Sequence, residues 1–598
     1  MSHFYNNNTK KVGRIGGKDM KSPVRSLKGV RNVMTGIILC LMGDAVGAPP
    51  EELQPKEVNS TNGGKIERKT QRPADRQGDK VIVDKLRGLV LLGSMEQVES
   101  KAEATQIRIE NVKFLKEKKL PKCLHQALGK PVTLSFLNEL ASDIVLFYRQ
   151  HDRPVVDVVL PEQDISNGVV QFVIVEGKLD KIRTRGVAWS AEEDLKKEIR
   201  IEKGEIIRAR TLTEDVQWLN RSPFRNIDVL LAPGKKEGYT DIILRVRESR
   251  RPWRVYAGYE DSGNNLTGVE RYLTGLNWGN ILTDGDVLNY QFTTSRDFDD
   301  LKAHAASYLA PLPWRHVLTL YGSYADTDAR TGGVEVGGES HQLGIQYGIR
   351  LPSPDFLDMR HEFFGGFEWK QSDSDVEFGQ IRITDTTTDI GQFLLGYRTR
   401  IPDSLGNTRG EVTVYYSPGG MFDRAADGDY EAVRQGAGAE YIYTRLELER
   451  TTYLPEEFSL YNELAAQWSD KNLLPSEQLG FGGYYSIRGF DSRALVDTDE
   501  GIYLRSELHS PPFGIARYLT ESFDDELVLL VFLDYGIAYR NSPLPGQEEQ
   551  VTMASFGPGF RYRLQDNVDL RFDYGIQWID GSIPDQSSRV HVGLVVSF

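Results

Sequence analysis

Residues 568–578 read VDLRFDYGIQW, and the last nine residues, 590–598, read VHVGLVVSF. In each stretch every second residue is apolar over its full length. Successive side chains of a β-strand point to opposite faces, so each stretch presents one continuous apolar face. In 568–578 the other face carries aspartate, arginine and glutamine, which suits a wet lumen. The pair therefore predicts neighbouring strands of a transmembrane β-barrel.

The same alternation runs back to about Trp253. Turn signals divide residues 251–598 into about sixteen segments, with about 22 residues for each strand and turn, the size of tilted spans of roughly ten residues. An even number returns both ends of the barrel to the same side of the membrane. We predict an all-β transmembrane barrel of about sixteen antiparallel strands, because a soluble sandwich would vary less in strand length.

Residues 81–250 have a mixed pattern that repeats once. Residues 134–151 have helical spacing, and two β-branched runs bounded by turn residues follow. Two segments, 86–92 and 107–115, both qualify as the first strand of the first unit. In the second unit, Ser190 to Glu193 and Thr211 to Glu214 predict two helices opened by capping boxes. We predict two small α+β domains of order βααββ, each with a three-stranded sheet, over 81–177 and 178–250.

The N-terminal segment has the pattern of an export signal. Residues 1–48 combine eight basic side chains, an apolar run and small residues for cleavage, and they predict a signal peptide. Residues 49–80 are polar and without period, and they predict a flexible linker. Of the two cysteines, Cys40 lies within the signal segment, which leaves Cys123 without a partner for a disulfide.

Charge and motifs exclude several function classes. The chain carries a net charge of −14, and removal of the basic signal would bring it to about −20. A strongly acidic protein is a poor candidate for nucleic acid. The sequence has no nucleophile triad, zinc-binding helix or phosphate loop. We therefore predict no enzyme, no metal site and no cofactor.

Several motifs resemble the outer-membrane transporters of two-partner secretion, the haemolysin/haemagglutinin secretion and activation family, within the barrel-assembly superfamily. Residues 161–177 resemble the family's first polypeptide-transport-associated (POTRA) domain. Residues 219–225, LNRSPFR, with 232–234 and 238–241, resemble the second. Residues 256–259 and 267–268 are similar to its first barrel strands.

The most specific resemblance is a pair of motifs. Residues 482–490, GGYYSIRGF, resemble the superfamily's arginine-glycine-aromatic loop tip, and residues 532–536, FLDYG, resemble the wall strand that receives it. An arginine folded into a barrel needs a carboxylate partner, so we predict a contact between Arg488 and Asp534 that gates or staples the barrel. The other residues assigned to the two motifs are Gly482, Gly483, Ile487, Gly489 and Phe490 of the tip and Phe532 and Gly536 of the wall. Gly536 is expected to leave room for the loop backbone.

The resemblance implies a protein exporter in the bacterial outer membrane with its POTRA domains in the periplasm. The implied partners are a large secreted client with a β-helical stalk, outer-membrane lipids, and the barrel assembly machinery that reads the C-terminal Phe598. Edge strands of the POTRA sheets would bind the unfolded client by strand addition. The residues we predict for client recognition end the second helix of the second domain: Asn220, Arg221, Pro223 and Phe224.

Two other functions stay open for this fold. An assembly or insertion factor of the same superfamily would normally carry more POTRA domains than 81–250 can hold. A passive porin has no use for POTRA domains or for the Arg488–Asp534 pair. The family's pore-plugging helix has no counterpart in the pattern, because residues 48–80 lack an amphipathic period.

Overall fold

The computed structural model describes residues 80–118, 122–264, 267–331, 334–354, 359–378, 381–490, 496–516, 524–541, 543, 549–579 and 587–598. The predicted signal peptide (1–48) and the predicted linker up to residue 79 lie outside these residues. In the described part of the chain, no helix has both the length and the hydropathy to cross a membrane.

The first α+β unit has four strands rather than the predicted three. Its elements are β1 (Gly88–Leu92), β2 (Ile107–Glu110), α1 (Lys113–Glu117), α2 (Lys122–Ala127), α3 (Leu134–Gln150), β3 (Val156–Val159) and β4 (Val169–Glu176). Both candidates for the first strand form strands, and the sheet order is β2-β1-β4-β3. β1 lies between β2 and β4 and runs parallel to both.

β1 is central because its sequence, GLVLL, is apolar on both faces. Leu89 and Leu91 face the main core with the buried side of α3, whereas Val90 and Leu92 pack in a second, smaller cluster that includes Ala102. Since burial on both faces is typical of a strand inside a sheet, the extra strand β2 is left at the edge. α3 begins as expected after Thr133, whose side chain accepts a hydrogen bond from the Phe136 amide at 3.1 Å.

The second unit has the predicted order. Its elements are β5 (Lys178–Arg185), α4 (Glu192–Lys197), α5 (Ala209–Leu219), β6 (Arg225–Pro233) and β7 (Tyr239–Glu248), with sheet order β5-β7-β6. The two predicted capping boxes are wrong. α5 begins two residues before Thr211, and α4 follows Ala191 with no side-chain cap. Ser190 instead accepts a hydrogen bond from buried Arg225 at 2.9 Å, because its hydroxyl points into the domain rather than along the helix.

Sixteen antiparallel strands form a closed barrel, as predicted. They are β8 (Trp253–Glu260), β9 (Arg271–Gly279), β10 (Val287–Thr294), β11 (Leu301–Pro311), β12 (His316–Thr331), β13 (Val334–Leu351), β14 (Arg360–Phe378), β15 (Ile381–Asp403), β16 (Gly406–Pro418), β17 (Glu440–Tyr453), β18 (Ser459–Ser469), β21 (Glu500–His509), β22 (Asp525–Tyr539), β23 (Gln550–Leu564), β24 (Val568–Ile579) and β25 (Ser588–Ser597). The last strand, β25, pairs with β8 and closes the cylinder, and Phe598 extends this seam by donating its amide to Val255 O at 2.8 Å.

The two faces of β22 differ as the alternation predicts. On β22, Val531, Leu533 and Tyr535 are exposed on the outside, whereas Phe532 and Asp534 are buried inside. An apolar exterior matches lipid tails, and a polar interior matches a lumen. The side chain of Phe598 is exposed.

Two insertions lie at one end of the barrel. The β16–β17 connection contains α6 (Asp427–Val433), and the β18–β21 connection contains a two-stranded hairpin, β19 (Leu479–Phe481) and β20 (Val496–Thr498). The second connection, residues 470–499, is the long segment predicted to hold the arginine loop.

Candidate functional site

The loop between β18 and β21 folds back into the lumen and ends in a tight tip. Gly482, Gly483 and Gly489 have φ angles of 97°, 90° and 91°, which only glycine adopts without strain. The amide of Gly483 donates to Ile487 O at 3.0 Å and closes the tip. The glycines therefore let nine residues reverse direction inside the barrel.

The structure places Arg488 against Asp534 on the β22 wall. The guanidinium donates from Nε to Oδ2 at 2.7 Å and from Nη2 to Oδ1 at 2.7 Å, and the Arg488 amide donates to Oδ2 at 3.0 Å. Neither residue is exposed. This two-pronged geometry is the strong form of an arginine–carboxylate pair.

Two further carboxylates and a ring complete the surroundings of Arg488. Nη1 donates to Glu507 Oε1 at 2.6 Å and reaches Asp573 Oδ1 at 3.4 Å. The face of the Phe532 ring lies 3.6 Å from Cζ, within the range of a cation–π contact. Arg488 therefore fastens the tip to three wall strands, β21, β22 and β24.

The ion pairs continue across the wall. Arg561 and Arg571 donate to Asp573 at 2.8 Å and 2.6 Å, and Arg505 lies 3.4 Å from Glu463 and 4.0 Å from Asp534. Four arginines thus face four carboxylates, so the buried cluster is balanced in charge. Removing one member of a buried pair typically costs about 3–5 kcal/mol because its partner is left uncompensated.

The tip packs against two glycines of the wall, and the one that faces the loop backbone is Gly575 rather than the predicted Gly536. A Cβ at Gly536 would lie 2.5 Å from Ile487 Cδ1 and 2.8 Å from Phe481 Cε1, so this glycine makes room for two side chains and not for the loop backbone. The backbone instead crosses Gly575 of β24, where a Cβ would lie 2.4 Å from Gly489 N.

An apolar patch flanks the ionic one. Phe490 and Ile487 of the tip are buried with Phe481 of β19, against Ala538, Val551 and Met553 of the wall. On the other side, Tyr485 donates to both Glu260 carboxylate oxygens, at 2.7 and 2.6 Å. Every residue predicted for the loop and wall motifs is therefore brought to one place.

Sequence reasoning missed Glu507, Asp573, Gly575 and the three other arginines. Strand parity alone puts Arg571 and Asp573 on the lumen face. The unequal hydropathy of the two faces was the available signal, but it does not say which lumen charges meet.

The residues predicted for client recognition lie at the junction between the second POTRA unit and the barrel. Asn220 Oδ1 accepts from the Ile227 amide at 2.6 Å and Nδ2 donates to Ile227 O at 2.9 Å, which fixes the turn from α5 to β6. Pro223 and Phe224 are buried, and the Phe224 ring covers Gly279 at the end of β9.

Two arginines of the same segment bind the turn between β9 and β10. Arg221 Nη2 donates to Asp284 O at 3.1 Å, and Arg225, fully buried, binds both Asp284 carboxylate oxygens. Burial, and then the like charge of Arg225, lower the pKa of Arg221 to about 9, which leaves it charged at neutral pH. The guanidinium also stacks 3.9 Å from the Trp218 ring. A second contact joins Arg315, between β11 and β12, to buried Asp215 of α5 at 2.6 Å.

Among the described residues, no group of three or more His, Cys, Asp or Glu side chains is arranged to hold a metal ion. Cys123 is a free, partly buried thiol.

The sixteen-stranded barrel has an arginine-tipped loop in its lumen and two POTRA-like units ahead of it, which is the architecture that the resemblance to two-partner secretion transporters implies. The Haemolysin secretion/activation protein ShlB/FhaC/HecB family matches residues 238–562, more than half of the chain, and the chain belongs to this family. A POTRA domain of the ShlB type matches residues 103–177.

The chain is similar to characterised transporters over most of its length. It is 24% identical over 478 residues to the Heme/hemopexin transporter protein HuxB of Haemophilus influenzae, covering 76% of this chain and 80% of that protein. It is 23% identical over 430 residues to the Outer membrane transporter CdiB-2 of Burkholderia pseudomallei, covering 67% of each. The solved structure of CdiB from Escherichia coli has the same fold, with a TM-score of 0.67, 18% identity and coverage of 89% and 94%.

These matches confirm the predicted function. The protein is a two-partner secretion transporter of the outer membrane, which has periplasmic POTRA domains and exports a partner protein through its barrel. Family membership favours this function over the assembly factor and the passive porin.

Proposed function

We propose that the loop tip is the gate of this transporter, and that the Arg488–Asp534 contact breaks while the client passes. The observation that carries the proposal is the burial of Arg488 inside the lumen, on ionic contacts to three strands. A client that threads the barrel as an extended chain needs the space that the tip occupies. A contact made of ions and hydrogen bonds can re-form after each passage, since both partners can be hydrated in the open state.

The surroundings of Asp534 favour a gate over a permanent staple. When Arg488 leaves, Arg505 Nε is already 4.0 Å from Asp534 Oδ1. The wall therefore keeps a cation beside this carboxylate, which lowers the cost of release below that of an isolated buried pair. The glycine-rich tip adds backbone freedom on the moving side.

The test is the variant Arg488→Ala. We expect it to insert as a folded barrel, shown by an unchanged shift in gel mobility on heating, and to secrete its client at least tenfold less. Glu463→Gln, which removes a charge of the same cluster that pairs with Arg505 rather than with Arg488, is the matched control and should reduce secretion less. Normal export by Arg488→Ala would remove the gating role.

The proposed client is a large secreted protein with a β-helical stalk, bound unfolded by the POTRA sheets. β3 and β2 at the two edges of the first sheet offer backbone groups for strand addition. Deleting residues 81–247 should abolish client binding while ion conductance through the barrel persists. Retained client binding by the deletion variant would contradict the receptor assignment.

Asn220, Arg221, Pro223 and Phe224 are proposed to support client recognition indirectly. Side chains packed against the barrel act by holding the receptor at a fixed angle over the pore. We further propose that residues 1–48 are a cleaved export signal and 49–80 a linker, that Phe598 serves insertion by the barrel assembly machinery, and that transport involves no enzymatic step.

A further inference from the structure

A second buried ion pair lies at the root of the loop (residues 473–478), away from the arginine tip (residues 482–490). The carboxylate of Glu477 accepts from Lys370 Nζ at 2.9 and 3.1 Å, from Tyr443 Oη at 2.7 Å and from Gln392 Nε2 at 3.0 Å. These partners come from β14, β17 and β15, a different part of the wall from β21, β22 and β24. Glu477, Gln392 and Tyr443 are fully buried, and Lys370 is 6% exposed.

The polar contacts around Glu477 form a group separate from those of Arg488. Glu368 lies 3.5 Å from Lys370 Nζ and accepts from Gln392 at 2.9 Å, and Arg445 Nη2 donates to the backbone oxygen of Glu477 at 3.0 Å. Lys370 thus lies between two carboxylates, and Arg445 holds the backbone of Glu477. Because none of these contacts involves Arg488 or Asp534, Glu477 keeps its partners when the tip is released.

The chain on either side of Glu477 is also fixed to the barrel. Leu473 and Leu474 are buried with Tyr430 of α6 and Tyr441 of β17. Asp499, at the far end of the loop, accepts from the Leu473 amide at 2.8 Å and from Arg434 at 2.6 Å. The two ends of the loop are therefore tied to each other and to the helix-bearing β16–β17 connection.

Root and tip differ in the kind of contact they make. The tip turns on three glycines with positive φ and lies on a wall hollowed by Gly536 and Gly575. The root combines a proline, Pro475, with an apolar cluster and a closed set of ion pairs. In the described part of the loop, the short β19–β20 hairpin lies between root and tip, so the hairpin can act as an arm that joins a fixed end to a movable end.

We propose that Glu477 and Lys370 form a second, independent anchor, which holds the root of the loop on the wall while the tip carrying Arg488 swings aside for the client. Glu477 and Lys370 are positioning residues for transport. They confine the movement to residues beyond Gln478 and return the tip to the same place after each passage. The inference rests on the proposed movement of the tip.

The experiment uses two cysteine reporters in the full-length transporter, each in a Cys123→Ser background. Ser486→Cys reports on the tip and Ser476→Cys on the root, and both serines are nearly buried, at 5% and 8% exposure. Labelling with a membrane-impermeant maleimide is measured in whole cells. The reporters are combined with Arg488→Ala, with Lys370→Met and with both, and gel mobility on heating verifies that each barrel is folded.

We expect Arg488→Ala to increase labelling at 486 at least fivefold with little change at 476, and Lys370→Met to do the reverse. In wild type with a client arrested in the pore, 486 should be labelled and 476 protected. The second anchor is overturned if both cysteines are labelled in Arg488→Ala, in Lys370→Met or in the complex with arrested client. It is also overturned if the cysteine at 476 stays protected in Lys370→Met. If the cysteine at 486 stays protected in Arg488→Ala, the proposed movement of the tip is contradicted. Labelling of 476 in Lys370→Met would in that case still support the anchor at Glu477.

Discussion

Gly489 at the loop tip and Gly575 on β24 lie backbone against backbone. A Cβ at position 575 would lie 2.4 Å from Gly489 N and 2.6 Å from Gly489 Cα. No real Cβ tolerates such a distance to backbone atoms, so the tip can seat only because both positions are glycine.

We therefore expect Gly575→Ala to lift the tip from the wall without unfolding the barrel. Ion conductance in planar bilayers should rise several-fold, since the lumen is less filled. Gly410→Ala on β16 is the matched control, because a Cβ there meets its nearest atom at 3.5 Å. A closed, wild-type conductance in Gly575→Ala would show that the tip does not depend on this contact.

Arg488→Lys tests whether closure needs the guanidinium or only its charge. A lysine ammonium cannot donate two parallel bonds to Asp534 and also reach Glu507. We expect conductance between those of wild type and Arg488→Ala. Equal conductance of the lysine and alanine variants would mean that charge contributes nothing to closure, and a wild-type value would mean that charge alone suffices.

Arg225→Ala should loosen the second POTRA unit from the barrel. The buried guanidinium bridges Asp284, Ser190 and Leu219 O, and its loss should cost about 3 kcal/mol. The predicted readout is faster cleavage of the periplasmic region by added protease, with reduced secretion. Arg247→Ala is the control: Arg247 pairs with Asp228 at 2.7 Å but is 65% exposed, and exposed pairs contribute about 0–1 kcal/mol. Equal protease sensitivity of the two variants would contradict the role of Arg225 in holding the second POTRA unit against the barrel.

Asp286 makes the turn between β9 and β10 sensitive to acid. Burial alone would raise its pKa, but hydrogen bonds from Tyr308 and the amides of residues 281–283 outweigh burial and lower it. A carboxylate with a lowered pKa stabilises the fold above its unfolded pKa of about 3.9, and this stability is lost as pH falls through the folded value. Unfolding in urea should therefore accelerate below about pH 4. Asp286→Asn should unfold faster at pH 7 and show a weaker acid dependence; an unchanged pH profile would exclude Asp286 as the cause.

Strand parity explains why so much of the barrel could be predicted. A strand has only two faces, so alternation between Val568 and Trp578 fixes which side chains meet lipid and which meet the lumen. The Arg488–Asp534 contact was predicted from two resembling motifs, and its geometry agrees. The role of Gly536 was wrong in detail, because the side chains that fill a hollow depend on the path of the loop.

Other features could not be predicted from the local sequence pattern. The Lys370–Glu477 pair joins a residue of β14 to a loop residue more than a hundred positions away, and the two meet only because the loop returns to the barrel wall. The capping box at Ser190 failed because its hydroxyl accepts a hydrogen bond from Arg225, a partner that tertiary packing supplies. The box at Thr211 failed because α5 begins earlier, at Ala209. The candidate strand at 86–92 became the centre of its sheet because loop residues cover its second face.

The sequence by itself determined the barrel, its approximate strand number and the two α+β units, because periodicity and turn residues are local properties. The loop that carries Arg488 was predicted from its resemblance to a known motif. Apart from Arg488 and Asp534, only the tertiary structure decided which lumen charges pair. It also decided that LNRSPFR faces the barrel and that Glu477 is buried against Lys370. Those outcomes depend on barrel closure and on the path of the inserted loop, which bring distant side chains together in a buried site where each charge must find a partner.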